Sequence, residues 1–119
     1  MLKKKILAID DSAIALKQLQ NILEKKFDFV GVSSGLAGLK RLDSEEFDLV
    51  LLDIEMPDMS GLLLAKALRD IQPDICIIFV TAYSNYALEA FDVDAIGYIL
   101  KPYDRESIEH ALRKARRMK

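Results

Sequence analysis

Four short segments, Ile6 to Ile9, Leu49 to Leu52, Ile75 to Val80 and Ile96 to Leu100, are apolar at nearly every position rather than at alternate ones. A strand with one wet face alternates, whereas a strand covered on both faces reads as a continuous apolar run. The chain must therefore supply covering layers on both sides of a sheet. A fifth run, Phe29-Val30-Gly31-Val32, is shorter and bounded by Asp28 and Ser33-Ser34, the pattern of an edge strand. Between these runs lie segments of helical period, clearest at Leu16, Leu19, Ile22 and Leu23 and again at Ile108, Ala111, Leu112 and Ala115. Ser12, Ser34, Ser60, Ser84 and Asp104 stand where N-caps would accept the first free amides of five helices.

Strict alternation of strand and helix with short connections implies parallel strands, right-handed crossovers and helices on both sheet faces. The expected fold is a doubly wound, flavodoxin-like α/β domain with five strands in the order 2-1-3-4-5. That order sets the first and third strands side by side at the switch point where such sheets bind ligands. At 119 residues the chain suits one domain, residues 1–119, and an apolar fraction of 51% is enough for a single core.

Composition excludes several function classes. With 17 basic and 19 acidic side chains the net charge is -2, without the positive field that direct nucleic-acid binding leaves in a composition. No segment approaches the ~18 uncharged apolar residues of a membrane span. The basic start Met1-Leu2-Lys3-Lys4-Lys5 precedes an apolar stretch that ends at Asp10-Asp11, too soon for a signal-peptide core, so a cytoplasmic location is expected. Cys76, the only cysteine, lies in an apolar run and reads as a small buried hydrophobe. His110 falls off the apolar face of the last helix and reads as solvated, not as a phosphotransfer histidine. Arg113, Lys114, Arg116, Arg117 and Lys119 suit a helix C-terminus through its dipole, and they also suit the start of a linker to an output domain.

The chemistry lies at the carboxyl ends of the central strands. The first ends in Asp10-Asp11, the third in Asp53, the fourth in Thr81 and the fifth in Lys101-Pro102. Polar residues at strand ends are common as caps and turn formers, but these four sets would meet in one crevice. Carboxylates about 4 Å apart repel by on the order of 4 kcal/mol per pair at an effective dielectric of about 20. Such a site raises its pKa values or recruits a cation. Mg²⁺ suits this ligand set, with Mn²⁺ as an alternative, because it binds through few carboxylates, keeps waters and accepts phosphate oxygens. Lys101 supplies a compact positive charge for Asp53 and for a phosphoryl oxygen, and Thr81 supplies a hydroxyl. Asp53 is left as the nucleophile, consistent with aspartyl-phosphate chemistry.

In this order Asp10-Asp11, Leu51-Leu52-Asp53-Ile54-Glu55-Met56-Pro57 with Ser60-Gly61, Val80-Thr81-Ala82 and Leu100-Lys101-Pro102 resemble the CheY-like receiver domain of two-component response regulators over essentially the whole chain. The resemblance implies that Asp53 is the phosphoacceptor, that Asp10 and Asp11 hold Mg²⁺, and that the Glu55 backbone carbonyl is a further metal ligand. It implies that Thr81 and Lys101 sense the phosphoryl group, that Tyr98 turns inward as a switch, and that Pro102 comes after a cis bond. Glu55 and Tyr83, two residues beyond Asp53 and Thr81, match positions that tune acyl-phosphate hydrolysis. The implied phosphodonor is a phosphohistidine on a sensor histidine kinase or a histidine phosphotransfer protein. The implied output surface is the fourth helix, fifth strand and fifth helix, serving homodimer formation or partner docking.

A narrower resemblance runs from Tyr83 to Phe91 and from Asp94 to Pro102, where the sequence is similar to receivers attached to LytTR-type DNA-binding domains. The function expected is a phosphorylation-dependent switch that catalyses only its own modification and recovery. Three other readings compete. A degenerate receiver would bind partners without phosphorylation. A phosphohydrolase would want Asp-x-Asp after the first strand, a spacing that Asp10-Asp11-Ser12 breaks. A flavodoxin-like cofactor domain would want a Ser/Thr/Gly loop there, where two carboxylates would instead repel a phosphate.

Overall fold

The computed structural model describes residues 3–117; Met1, Leu2 and Lys119, named above, lie outside the described residues, as do the side chains of Arg116 and Arg117. Along the chain run β1 (Lys5–Ile9), α1 (Ala13–Leu23), β2 (Asp28–Val32), α2 (Gly35–Ser44) and β3 (Leu49–Leu52). After them come α3 (Gly61–Ile71), β4 (Cys76–Thr81), α4 (Ala87–Asp92), β5 (Gly97–Leu100) and α5 (Arg105–Arg117). The strands form one parallel sheet in the order β2-β1-β3-β4-β5, as the sequence pattern predicts.

Alternate residues of each central strand enter opposite cores. Ile6 and Ala8 of β1 join Leu19 and Leu23 of α1 and Ile108 and Leu112 of α5. Leu7 and Ile9 join Leu42 of α2, Leu64 and Leu68 of α3 and Ala90 of α4. All residues of β3 and β4 are buried, whereas edge strand β2 is half exposed, which accounts for the continuous runs and the one broken run. Cys76 is buried and His110 is exposed, as expected. Among the described residues no helix is long and apolar enough to cross a membrane.

Four of the five expected caps form. Ser12, Ser34 and Ser60 accept from the amides of Ala15, Ala37 and Leu62, and Asp104 accepts from that of Ser107. Ser84 does not cap α4. The chain bends at Ser84, turns through Asn85 and Tyr86, and starts the helix at Ala87 with Tyr86 in the cap position and no side-chain hydrogen bond. Tyr86 is committed elsewhere, to Glu55. The other end of α4 is closed fully: Asp94 adopts φ 59°, its N–H donates to Phe91 O at 3.0 Å, and the Ala95 N–H donates to Ala90 O at 3.1 Å. This is the Schellman pattern, with aspartate taking the left-handed position that glycine usually fills.

Candidate functional site

Sheet register brings the site together. Ile9 pairs with Leu52, and the Asp53 N–H continues that ladder by donating to Ile9 O at 3.0 Å, so Asp10 and Asp53 leave adjacent strands side by side. On the far side of β3, Thr81 pairs with Leu100, and the Lys101 N–H donates to Thr81 O at 2.8 Å. Four strand ends thus open into one crevice at the switch point.

Asp10 and Asp53 are 3% and 7% exposed, while Asp11 is exposed; one carboxylate oxygen from each lies within 4.8 Å of the other two. Each buried carboxylate is fixed by a backbone amide on one oxygen. Asp10 Oδ1 accepts from Ser12 N at 2.9 Å, and Asp53 Oδ1 accepts from Ile54 N at 2.8 Å. The second oxygens share a single cation: Lys101 Nζ donates to Asp10 Oδ2 at 2.7 Å and to Asp53 Oδ2 at 3.4 Å. The sequence places Lys101 beside Asp53, and its shorter contact is to Asp10.

Burial pushes the Asp10 carboxyl above its ordinary range, the neighbouring Asp53 charge adds to this, and pairing with Lys101 only partly offsets it. Burial also opposes the Lys101 charge, but there the hydrogen bond to Asp10 and the two carboxylate charges prevail, and its pKa is raised. The partners differ because Asp10 is nearly sealed from water, whereas the Lys101 side chain keeps 23% of its surface exposed. The site thus holds more negative charge than its own lysine neutralises. A hard dication with an oxygen ligand set fits that excess, and Mg²⁺ meets both requirements.

The remaining expected residues lie around this centre. Thr81 is fully buried and its Oγ1 accepts from Tyr83 N at 3.4 Å. The Lys101–Pro102 peptide is cis, as the resemblance implies. Tyr98 is half-buried, its ring tilted against Phe79 at 6.3 Å between centroids and its hydroxyl donating to the carbonyl of Tyr83. Tyr83 itself is 42% exposed. Glu55 is exposed, and its Oε2 accepts the Tyr86 hydroxyl at 2.8 Å.

Three residues carry roles that sequence reasoning misses. A Cβ on Gly61 would lie 2.0 Å from the carbonyl oxygen of Asp53 and 2.8 Å from Ile54 Cα, so only glycine lets α3 start against the loop that carries Asp53. The Gly61 N–H donates to Ile54 O at 2.6 Å, and Glu55 and Ser60 form a bridge that narrows the loop. Asp58 accepts from Gly35 N and Leu36 N at 3.2 and 3.1 Å, tying that loop to the start of α2; these amides hold its carboxyl below the ordinary range. The third is Tyr86, whose contact with Glu55 spans 31 residues and leaves no local signal. Gly61 has one, in its place directly behind the Ser60 cap.

Comparison with known proteins agrees with this geometry. Residues 6–113 match the family model described as the response regulator receiver domain. The sensory transduction protein LytT of Bacillus anthracis is 38% identical over 118 residues, covering 97% of this chain and 48% of that protein. The chain therefore spans about half the length of this curated relative. Among solved structures, the response regulator protein TrrA of Thermotoga maritima, in complex with Mg²⁺ and BeF, is 34% identical with a TM-score of 0.85, covering 94% of this chain and 98% of that one. A response regulator protein from Burkholderia pseudomallei with a phosphorylated aspartic acid, a calcium ion and citrate is 31% identical, TM-score 0.85, covering 98% of this chain and 71% of that one. With a matching family model over nearly its whole length and the acidic crevice at its switch point, the chain belongs to the receiver domains of two-component response regulators.

Proposed function

We propose that Asp53 accepts a phosphoryl group from a phosphohistidine on a sensor histidine kinase or histidine phosphotransfer protein. Residues 1–119 then act as one receiver domain that reports its phosphorylation state. The observation that carries this reading is the arrangement of Asp53: one oxygen is held by Ile54 N–H, and the other faces Lys101 beside the Asp10 and Asp11 carboxylates. Asp10, Asp11, Asp53 and the Glu55 backbone carbonyl would hold Mg²⁺, or Mn²⁺ in its place, and the bound ion supplies neutralisation of phosphoryl-oxygen charge.

Asp53 Oδ2 is the attacking atom, since Oδ1 is occupied by the amide. The Oδ2–P bond forms as the bond from phosphorus to the donor imidazole nitrogen breaks, and that nitrogen leaves with the electron pair. Lys101 already spans Asp10 and Asp53, so it needs only a short shift to meet a phosphoryl oxygen. The Thr81 hydroxyl donates to another oxygen. The modified aspartate carries about -1.5 to -2 charges, and these contacts shift the domain between two conformations. Tyr98, half-buried between Phe79 and the Tyr83 carbonyl, passes the change to the face formed by α4, β5 and α5. That face takes an output domain, a partner or a second copy of the chain. Hydrolysis of the acyl phosphate restores the resting state, so there is no external turnover product. This role belongs in the cytoplasm, where a sensor kinase presents its phosphohistidine.

The test is intact-protein mass after incubation with Mg²⁺ and a small acyl-phosphate donor. Wild type gains the mass of one phosphoryl group and Asp53→Ala gains none. A wild type that gains nothing, or a variant that gains equally, overturns the reading.

A further inference from the structure

The proposed cation ligands come from two pieces of chain: Asp10 and Asp11 after β1, and Asp53 with the Glu55 carbonyl at the end of β3 and beyond it. Helix α2 touches both pieces. Gly35 and Gly38 are buried and, three residues apart, share one face of that helix. A Cβ on Gly38 would lie 2.4 Å from Ile9 Cδ1, so α2 rests directly on the residue before Asp10. A Cβ on Gly35 would lie 2.6 Å from Met59 Cγ and 2.7 Å from Met59 Sδ, so its first turn also rests on the loop that leaves Asp53.

The polar tie across that contact is Asp58. Gly35, Leu36 and Ala37 precede the first intrahelical bond of α2, from Gly38 N to Ser34 O, so their amides need partners from outside the helix. Ser34 Oγ takes that of Ala37, and Asp58 takes the other two, Gly35 N on Oδ1 and Leu36 N on Oδ2. Both oxygens of one carboxylate thus join the loop to a helix start, where negative charge is favoured. The Gly61–Ile54 hydrogen bond and the Glu55–Ser60 bridge fix the loop's own shape, and Asp58 fixes that shape against α2 and, through Gly38, against β1. We propose that Asp58 is a positioning residue that keeps the Glu55 carbonyl in register with Asp10 and Asp11 and so makes the site select Mg²⁺ over Ca²⁺. Mg²⁺ is small and demands near-ideal octahedral geometry, whereas Ca²⁺ accepts a flexible array of oxygens. A loop free to drift therefore weakens Mg²⁺ binding more than Ca²⁺ binding. The inference rests on Asp10, Asp11, Asp53 and the Glu55 carbonyl being the ligands.

The experiment titrates Mg²⁺ and Ca²⁺ separately into wild type, Asp58→Ala and Ser34→Ala, following backbone amide NMR shifts, with phosphoryl uptake of wild type measured alongside. In Asp58→Ala the Kd for Mg²⁺ rises about three- to tenfold, the worth of one hydrogen bond, and the Kd for Ca²⁺ changes by less than about twofold. Ser34→Ala removes a cap from the same turn of α2 but no tie to the loop, and it leaves both constants unchanged. A Mg²⁺ Kd that does not rise in Asp58→Ala overturns the proposal. A Ca²⁺ Kd that rises by the same factor or a larger one also overturns it, because a merely structural loss would weaken both ions alike. So does a Ser34→Ala variant that loses selectivity as Asp58→Ala does. Wild type that binds neither ion overturns the ligand set and this inference together. Wild type that binds Mg²⁺ but takes up no phosphoryl group overturns the acceptor reading alone.

Discussion

At the crevice between β1 and β3, Asp10, Asp53 and Thr81 each accept a backbone amide, the two carboxylates share Lys101, and the strands that carry Asp53 and Thr81 are buried throughout. On the flank of the same sheet, α4 has six residues, no side-chain cap at its start and Ala90 as its buried residue, while Leu88 and Phe91 are 80% and 77% exposed. A helix this short is not stable by propensity, and it buries little apolar surface to compensate. The crevice is fixed in place but electrostatically uncomfortable; the α4 flank is comfortable but weakly held. A fixed, charged crevice beside a weakly held flank is the arrangement that the proposed switch requires.

The comparison breaks most visibly if the crevice proves deformable. Gly61→Ala forces a methyl against the Asp53 carbonyl and should lower stability by about 3 kcal/mol in urea unfolding, with loss of phosphoryl uptake. A cost under about 1 kcal/mol would mean that the loop carrying Asp53 is not rigidly placed.

Asp10→Asn tests the discomfort. Because the folded-state pKa of Asp10 is raised, its ionised form is disfavoured in the fold; the penalty is fully present above that raised value and vanishes as pH falls below the ordinary carboxylate range. Asparagine keeps an oxygen for the Ser12 amide and removes the charge. The variant should be more stable than wild type near neutral pH, with the gap closing in acid. Added Mg²⁺ should stabilise wild type and not the variant. A variant less stable than wild type at neutral pH would show that the Lys101 pair outweighs burial.

The smallest effects separate the two regions by their caps. Ser12→Ala should cost about 1 kcal/mol at the start of α1, whereas Ser84→Ala should stay within about 0.3 kcal/mol because it caps nothing. Equal losses in thermal or urea unfolding would place α4 on the same footing as α1.

Much of the fold is legible because burial on both faces writes itself into consecutive residues: the apolar run of β3 coincides with the strand at both limits, and that of β4 is offset by one residue at each end. The site is legible for the same reason, since a doubly wound sheet brings Asp10, Asp53, Thr81 and Lys101 together wherever their strands end. Local reasoning fails where the arrangement is tertiary. Ser84 has the chemistry of a cap, but the turn through Asn85 and Tyr86 answers to Glu55, 31 residues away from Tyr86. Asp58 and Gly61 act through contacts with α2 and with the Asp53 backbone that no spacing rule encodes. The sharing of Lys101 between two carboxylates depends on side-chain directions, which the order of residues leaves open.

Arg69 sits at the end of α3, where its guanidinium donates to the carbonyls of Pro73, Ile75 and Asp94 at 3.2, 3.0 and 3.3 Å. The last of these is the residue that closes α4. Two amide bonds close that terminus on the helix itself and the Arg69 contact ties it to α3, while the near end is held, among its side-chain hydrogen bonds, by the Tyr86 contact. α4 is therefore mounted like a door, tied to α3 beside Asp94 and latched to the Asp53 loop at Tyr86, so its start hangs on fewer ties than its end.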